Sequence, residues 1–144
     1  MALANMKLYE DDGMPAFINL PPSDTLGIME SRGKLAIGSA GAALHLDNLE
    51  RAEITHIVNL CRQSRNVFPD KFKYLKVDDM ADDGTIESAE AFRRCLDCCT
   101  SFIHDALEGG GNVLVHCYQG KSRSTAICCA YILKYYPEKY PNIN

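Results

Sequence analysis

Nine consecutive residues, His116-Cys117-Tyr118-Gln119-Gly120-Lys121-Ser122-Arg123-Ser124, set a thiol and a guanidinium at a spacing of five intervening residues. A thiol is a weak nucleophile at neutral pH because little of it is ionised. A helix N-terminus and a nearby cation stabilise the thiolate and make it reactive. The short apolar run Asn112-Val113-Leu114-Val115 before these residues predicts a buried strand, and Thr125 to Tyr136 after them predicts a helix. A strand, a tight loop and a helix start gather unpaired backbone N–H groups and the positive end of a helix dipole. The pattern is that of an anion site with a nucleophile at its floor.

The spacing makes the chemistry specific. Five residues between Cys117 and Arg123 let the loop curl, so that the N–H groups of Tyr118, Gln119, Gly120, Lys121 and Ser122 form a concave nest for phosphate oxygens. Gly120 supplies the permissive backbone that the curl needs. Arg123 can grip two oxygens with its planar fork, which a lysine cannot copy. Ser124 can donate a hydrogen bond to the Cys117 sulfur and help it depart. His116 stands on the strand side of the cysteine, where it orders the loop from behind rather than acting as a base. Gly120-Lys121-Ser122 mimics the end of a nucleotide-binding P-loop, but position 115 is Val where that loop needs Gly, and Gly109-Gly110-Gly111 precedes the strand instead of following it. His116-Cys117 and Cys98-Cys99 lack the spaced ligand pairs of a zinc site, so no metal is expected.

This segment resembles the active-site signature of the cysteine-dependent protein phosphatases, His-Cys-x-x-Gly-x-x-Arg-Ser/Thr. Its ending Gly-x-Ser-Arg-Ser, Gly120 to Ser124, is most similar to the dual-specificity branch. A low-molecular-weight phosphatase would instead carry its cysteine loop near the N-terminus. The resemblance covers about Lys34 to Tyr136, with Lys34 to Ser39 similar to the family's opening strand and Ile54 to Leu60 similar to the strand after its first helix. It implies metal-independent hydrolysis of phosphate monoesters through a phosphocysteine intermediate, with no cofactor. The family continues past the loop helix with further helices, whereas this chain stops at Pro137 to Asn144, so a shortened or minimal domain is expected.

The resemblance also implies a general acid, an aspartate on the loop after a Phe-x-Tyr-x-x-aliphatic strand. Phe72, Tyr74 and Val77 match that strand, and the loop offers Asp78, Asp79, Asp82 and Asp83. The family's spacing falls on Ala81, one residue short of Asp82. Asp82 is therefore the first candidate and Asp79 the second. A cysteine at the position of Cys61 forms a protective disulfide with the nucleophile in some members, which makes Cys61 a candidate redox partner of Cys117.

Classical tyrosine phosphatases are much longer and build a deep pocket from segments this chain has no room for. A shallow pocket would accept phosphotyrosine and phosphoserine or phosphothreonine on a protein partner, a kinase among them. Lys121 stands where dual-specificity enzymes usually carry an aliphatic residue, and Tyr118 is bulky. A loop lysine resembles members that act on inositol lipids or other highly charged phosphates, which is one alternative substrate class. A catalytically weak module that captures phosphorylated partners is another. Arg62 and Arg65 with Lys71 and Lys73 read as solvated basic surface rather than a docking site.

Composition bounds these readings. The chain has 144 residues, enough for one core. Apolar content of 47% and charged content of 24% are those of a soluble globular domain. A net charge of −4 suggests neither non-specific nucleic-acid binding nor attachment to acidic membranes. No apolar run approaches transmembrane length, and the N-terminus lacks a signal pattern. The seven cysteines are odd in number and sit in apolar helix and strand contexts, so a reducing setting, cytoplasmic or also nuclear, is expected over a secreted disulfide scaffold.

The expected organisation is an irregular N-terminal arm, 1–33, and a phosphatase-like catalytic domain, 34–144. The arm is rich in turn formers, with a short helix near Thr25 to Glu30. Strands are predicted at Lys34 to Gly38, Thr55 to Cys61 and Phe72 to Val77, besides the one before Cys117, and a helix at Ala42 to Arg51. Apolar residues at 92, 95, 96, 99, 102, 103 and 106 predict a helix over Ser88 to Leu107, with Cys95 and Cys99 in the core and Cys98 beside the stripe. Cys128 and Cys129 on the last helix read as core thiols. Alternation of strand and helix predicts an α/β fold, a mostly parallel sheet of about four to five strands with helices on both faces.

Overall fold

The computed structural model describes residues 13–20, 32–77, 86–118 and 123–137. Five strands form one sheet: β1 (Ala16–Ile18), β2 (Leu35–Gly38), β3 (His56–Asn59), β4 (Lys73–Lys76) and β5 (Val113–His116). Their spatial order is β1-β2-β5-β3-β4. Four strands run parallel and β1 alone pairs antiparallel, on the edge against β2. The helices are α1 (Leu46–Arg51), α2 (Ile86–Glu108) and α3 (Arg123–Tyr135), with one 3-10 turn at Ala42–Leu44 before α1.

Strand periodicity sorts the core onto two faces. Leu35, Val58, Val113 and Val115 face α2 and α3, where Cys99, Ile103 and Leu107 of α2 meet Ile127, Cys128 and Tyr131 of α3. Their chain neighbours Ala36, Ile57 and Leu114 point the other way and pack with Leu49 of α1, Ile54 and Phe72. β5 lies between β2 and β3 and is buried along its whole length, as a near-continuous apolar run in a parallel sheet should be. Full burial of one such side chain contributes roughly 1.5–3 kcal/mol, so β5 is among the most firmly held segments. The turn into β2 brings backbones together: a Cβ at Gly33 would lie 1.5 Å from the Gly111 carbonyl oxygen, so only glycine fits there.

Three features depart from the sequence reading. The arm expected to be irregular contains β1, whose three residues are too few to show a period and whose pairing is supplied by the edge of β2. The helix expected over Ala42 to Arg51 is broken at His45, which lies outside the helical region at φ −96 and ψ 88. Cys129 is exposed while its neighbour Cys128 is buried, because consecutive helical residues point about a quarter turn apart. The helix expected near Thr25 to Glu30 lies outside the described residues.

Candidate active site

The four parallel strands β2, β5, β3 and β4 end on the same side of the sheet, and α/β sheets bind ligands outside the carboxyl ends of their strands. Cys117 is the first residue past β5 and is only 3% exposed. Its Sγ lies 3.5 Å from the Oγ of Ser124, which is itself fully buried. Ser124 is the second residue of α3, so the end of the central strand and the first turn of a 13-residue helix meet at the sulfur. The thiol therefore sits against the positive end of a helix dipole. Arg123 opens α3 and is half-buried. Gln119, Gly120, Lys121 and Ser122, between Tyr118 and Arg123, lie outside the described residues.

Burial acts on the surrounding titratable groups in different ways. His116, in register with Gly38 of β2 and Asn59 of β3, is buried, and its carbonyl accepts the Leu60 N–H at 2.8 Å. Desolvation pushes the imidazole down to about 4, against an upward pull from a hydrogen bond to the Cys117 backbone and with a lesser downward push from the charge of Lys76. It is neutral at physiological pH, and its Nδ1 has no hydrogen-bond partner among the described residues. Cys99 and Cys128, buried between α2 and α3, are pushed up to about 12 by desolvation, which keeps them as inert thiols. Tyr118 is 58% exposed at the mouth beside Cys117, and its carbonyl accepts the Ala40 N–H at 3.2 Å, joining the cysteine loop to the turn after β2.

Cys61 is buried and lies one residue beyond Leu60, the neighbour of Cys117 across the β3–β5 pairing. Both are free thiols. Asp79 and Asp82, in the stretch 78–85, lie outside the described residues. That stretch leaves from Val77, whose N–H donates to the Asn59 carbonyl at 2.9 Å at the end of β4.

One residue near the site was not singled out from sequence. Asn59, fully buried at the end of β3, spends its amide on the loop that follows. Its Oδ1 accepts the Cys61 N–H at 2.9 Å, and its Nδ2 donates to the Ser64 carbonyl at 2.7 Å and to Asn66 Oδ1 at 3.1 Å. Lys76 Nζ donates to the Cys61 carbonyl beside it. The available signal was a polar amide inside the apolar run Ile57-Val58-Asn59-Leu60, since a buried amide needs partners.

Residues 35–143 match the family model for the dual specificity phosphatase catalytic domain. The chain is 35% identical over 128 residues to dual specificity protein phosphatase 1 of Arabidopsis thaliana, covering 89% of this chain and 56% of that one. It is 37% identical over 107 residues to dual specificity protein phosphatase 1B of the same plant, covering 74% and 61%. It thus spans less than two thirds of the length of these curated relatives. A crystal structure of DUSP15 superposes with a TM-score of 0.62 at 30% identity, covering 85% of this chain and 67% of that one. The Yvh1 phosphatase domain of Chaetomium thermophilum gives 0.63 at 30%, covering 76% and 70%. A strand–thiol–helix junction in this sheet order, a family match over residues 35–143 and relatives at this identity lead to one conclusion: the chain belongs to the dual specificity phosphatase family.

Proposed function

We propose that this chain hydrolyses phosphate monoesters on phosphotyrosine and phosphoserine or phosphothreonine of protein substrates, kinases among them, through a phosphocysteine intermediate. The observation that carries this reading is the 3.5 Å approach of Ser124 Oγ to Cys117 Sγ at the N-terminus of α3. In the first step the Cys117 thiolate attacks phosphorus. The bond to the substrate oxygen breaks, and that oxygen leaves with its electron pair and takes a proton from an aspartic acid, Asp82 or in second place Asp79. The loop N–H groups of residues 118–122 and the Arg123 fork hold the three equatorial oxygens, whose charge the helix end stabilises. In the second step the same carboxylate takes a proton from water, which attacks phosphorus. The P–S bond breaks, its electrons return to sulfur, and the Ser124 hydroxyl stabilises the departing thiolate. A buried, neutral His116 supports the loop from the strand side. Chemistry that depends on a reduced cysteine suits the cytoplasm or nucleus.

The test is hydrolysis of a small aryl phosphate with EDTA present, comparing wild type with Cys117→Ser, Asp82→Asn and Asp79→Asn. Metal-independent turnover that vanishes in Cys117→Ser and falls in one aspartate variant supports the reading and names the acid. A wild type that binds vanadate without turning over the ester would replace it with a phosphate reader.

A further inference from the structure

The loop after β3 stands beside the cysteine and is unusually well anchored. Asn59 holds it at Cys61, Ser64 and Asn66, the Ser64 N–H donates to the Cys61 carbonyl at 3.2 Å, and Lys76 pins the same carbonyl. The loop exposes Arg62 and Arg65. Neither makes an ion pair among the described residues, on a chain whose net charge is −4. Sequence alone reads such a pair as solvated surface. An anchored loop changes that reading, because two guanidinium groups on a fixed backbone lose less freedom when they engage an anion.

Position gives the pair its use. The Leu60 N–H bonds to the His116 carbonyl, which sets Leu60 next to Cys117 on the adjoining strand. Arg62 is two residues further on, in the turn that the Ser64 N–H closes on the Cys61 carbonyl, so its Cα lies within two Cα–Cα steps, at most about 7.6 Å, of that of Leu60. An extended peptide advances about 3.3–3.6 Å per residue, so its second or third residue from the phosphorylated one falls within reach of the arginine side chains.

We propose that Arg62 and Arg65 form a secondary anion subsite that selects protein substrates carrying a carboxylate or a second phosphate two or three residues from the scissile phosphoresidue. This rests on the phosphatase reading above and narrows its substrate class. Guanidinium forks suit both oxyanions. The acidic chain argues for a phosphopeptide over a lipid surface.

The experiment uses the full chain and four phosphotyrosine peptides of one length: neutral flanks, glutamate at the second and third positions, a second phosphate there, and lysine there. It reads the ratio of kcat/KM for each flank over the neutral peptide, in wild type and in Arg62→Gln/Arg65→Gln. Turnover of a small aryl phosphate is run beside it, because it reports the catalytic reading separately. The expected result is a ratio above one for the glutamate and phosphate peptides, which the double variant lowers by about 3- to 10-fold and which raised salt also lowers. The glutamate and second-phosphate arms show which anion is preferred. A wild-type ratio of one, or a ratio the variant leaves unchanged, overturns the proposal even if the aryl phosphate is hydrolysed well. If the aryl phosphate is not hydrolysed, the phosphatase reading fails, and binding of the same peptides to Cys117→Ser, with and without the arginine changes, decides the subsite by the same criteria. An arginine effect confined to phosphatidylcholine vesicles carrying phosphatidylinositol bisphosphate, with peptides unaffected, also overturns it in favour of a lipid surface.

Discussion

Ser124 Oγ lies 3.5 Å from Cys117 Sγ, and both groups are buried. This is a hydrogen bond to sulfur closed across a seven-residue separation, and it ties the end of the central strand to the first turn of α3. Its value depends on the charge of the sulfur. A neutral thiol gains little from a hydroxyl, whereas a thiolate leaving phosphorus gains a charge-assisted bond.

Ser124→Ala should therefore slow the second chemical step more than the first. A hydrogen bond to a charged group is worth about 1.5–3 kcal/mol, so kcat should fall about 10- to 150-fold. Rapid-quench kinetics on an aryl phosphate should show a burst of phenol near one equivalent, followed by a slow steady state. Loss of the burst together with kcat would place the hydroxyl in the first step instead.

Asn59→Ala should destabilise the fold and loosen the loop at 61–66. It strands the Cys61 N–H and the Ser64 carbonyl, which the amide now serves. Each unsatisfied group costs about 1–3 kcal/mol, less for the part-buried Ser64 carbonyl, so urea unfolding should show a loss of roughly 2–4 kcal/mol. Hydrogen exchange should quicken at Cys61 and Ser64 before it does in β5. A loss below about 0.5 kcal/mol would mean that water replaces the amide at no cost.

Acid should weaken the fold through His116. Its imidazole is held near 4 in the folded chain, chiefly by desolvation, against an ordinary value of 6.5. Between these values the unfolded chain binds the proton and the folded chain does not. Stability is then fully present above about pH 6.5 and declines as pH falls toward 4, by up to ~3 kcal/mol from this group. His56, lowered by desolvation and by Lys73, acts in the same direction. Unfolding free energies of wild type and His116→Gln across this range should differ in slope, with the variant flatter. Parallel curves would show that the imidazole does not drive the dependence.

Mild peroxide should inactivate the chain reversibly. The Cys117 thiolate reduces peroxide to hydroxide and becomes a sulfenic acid. The Cys61 thiol then displaces water from it to form a disulfide that dithiothreitol reopens. Cys61→Ser should turn this into progressive, irreversible loss of activity. Peptide mapping that finds sulfinic Cys117 with Cys61 always free would end the idea. Cys99 and Cys128, pushed up to about 12 by burial, should stay reduced throughout.

Much of this was open to a reader of residues alone. The run from His116 to Ser124 carries its chemistry in types and spacing, and its flanks announce strand and helix through local periodicity. The runs that become β2 to β5, and the stripe along α2, are legible for the same reason: burial on one face imposes a period on the chain. β1 was not legible, because Ala16 to Ile18 are a strand only by virtue of the β2 edge they pair with. The break at His45 and the exposure of Cys129 likewise depend on what packs against each helix. Sequence by itself determined the family, the thiol, its arginine and the alternating order of the fold, since each is written in neighbouring residues. Tertiary structure alone decided that Asn59 anchors the loop carrying Arg62 and Arg65 and that burial holds His116 neutral. Both depend on how deeply the ends of β3 and β5 are buried, which the neighbouring strands and the helices packed on the sheet decide.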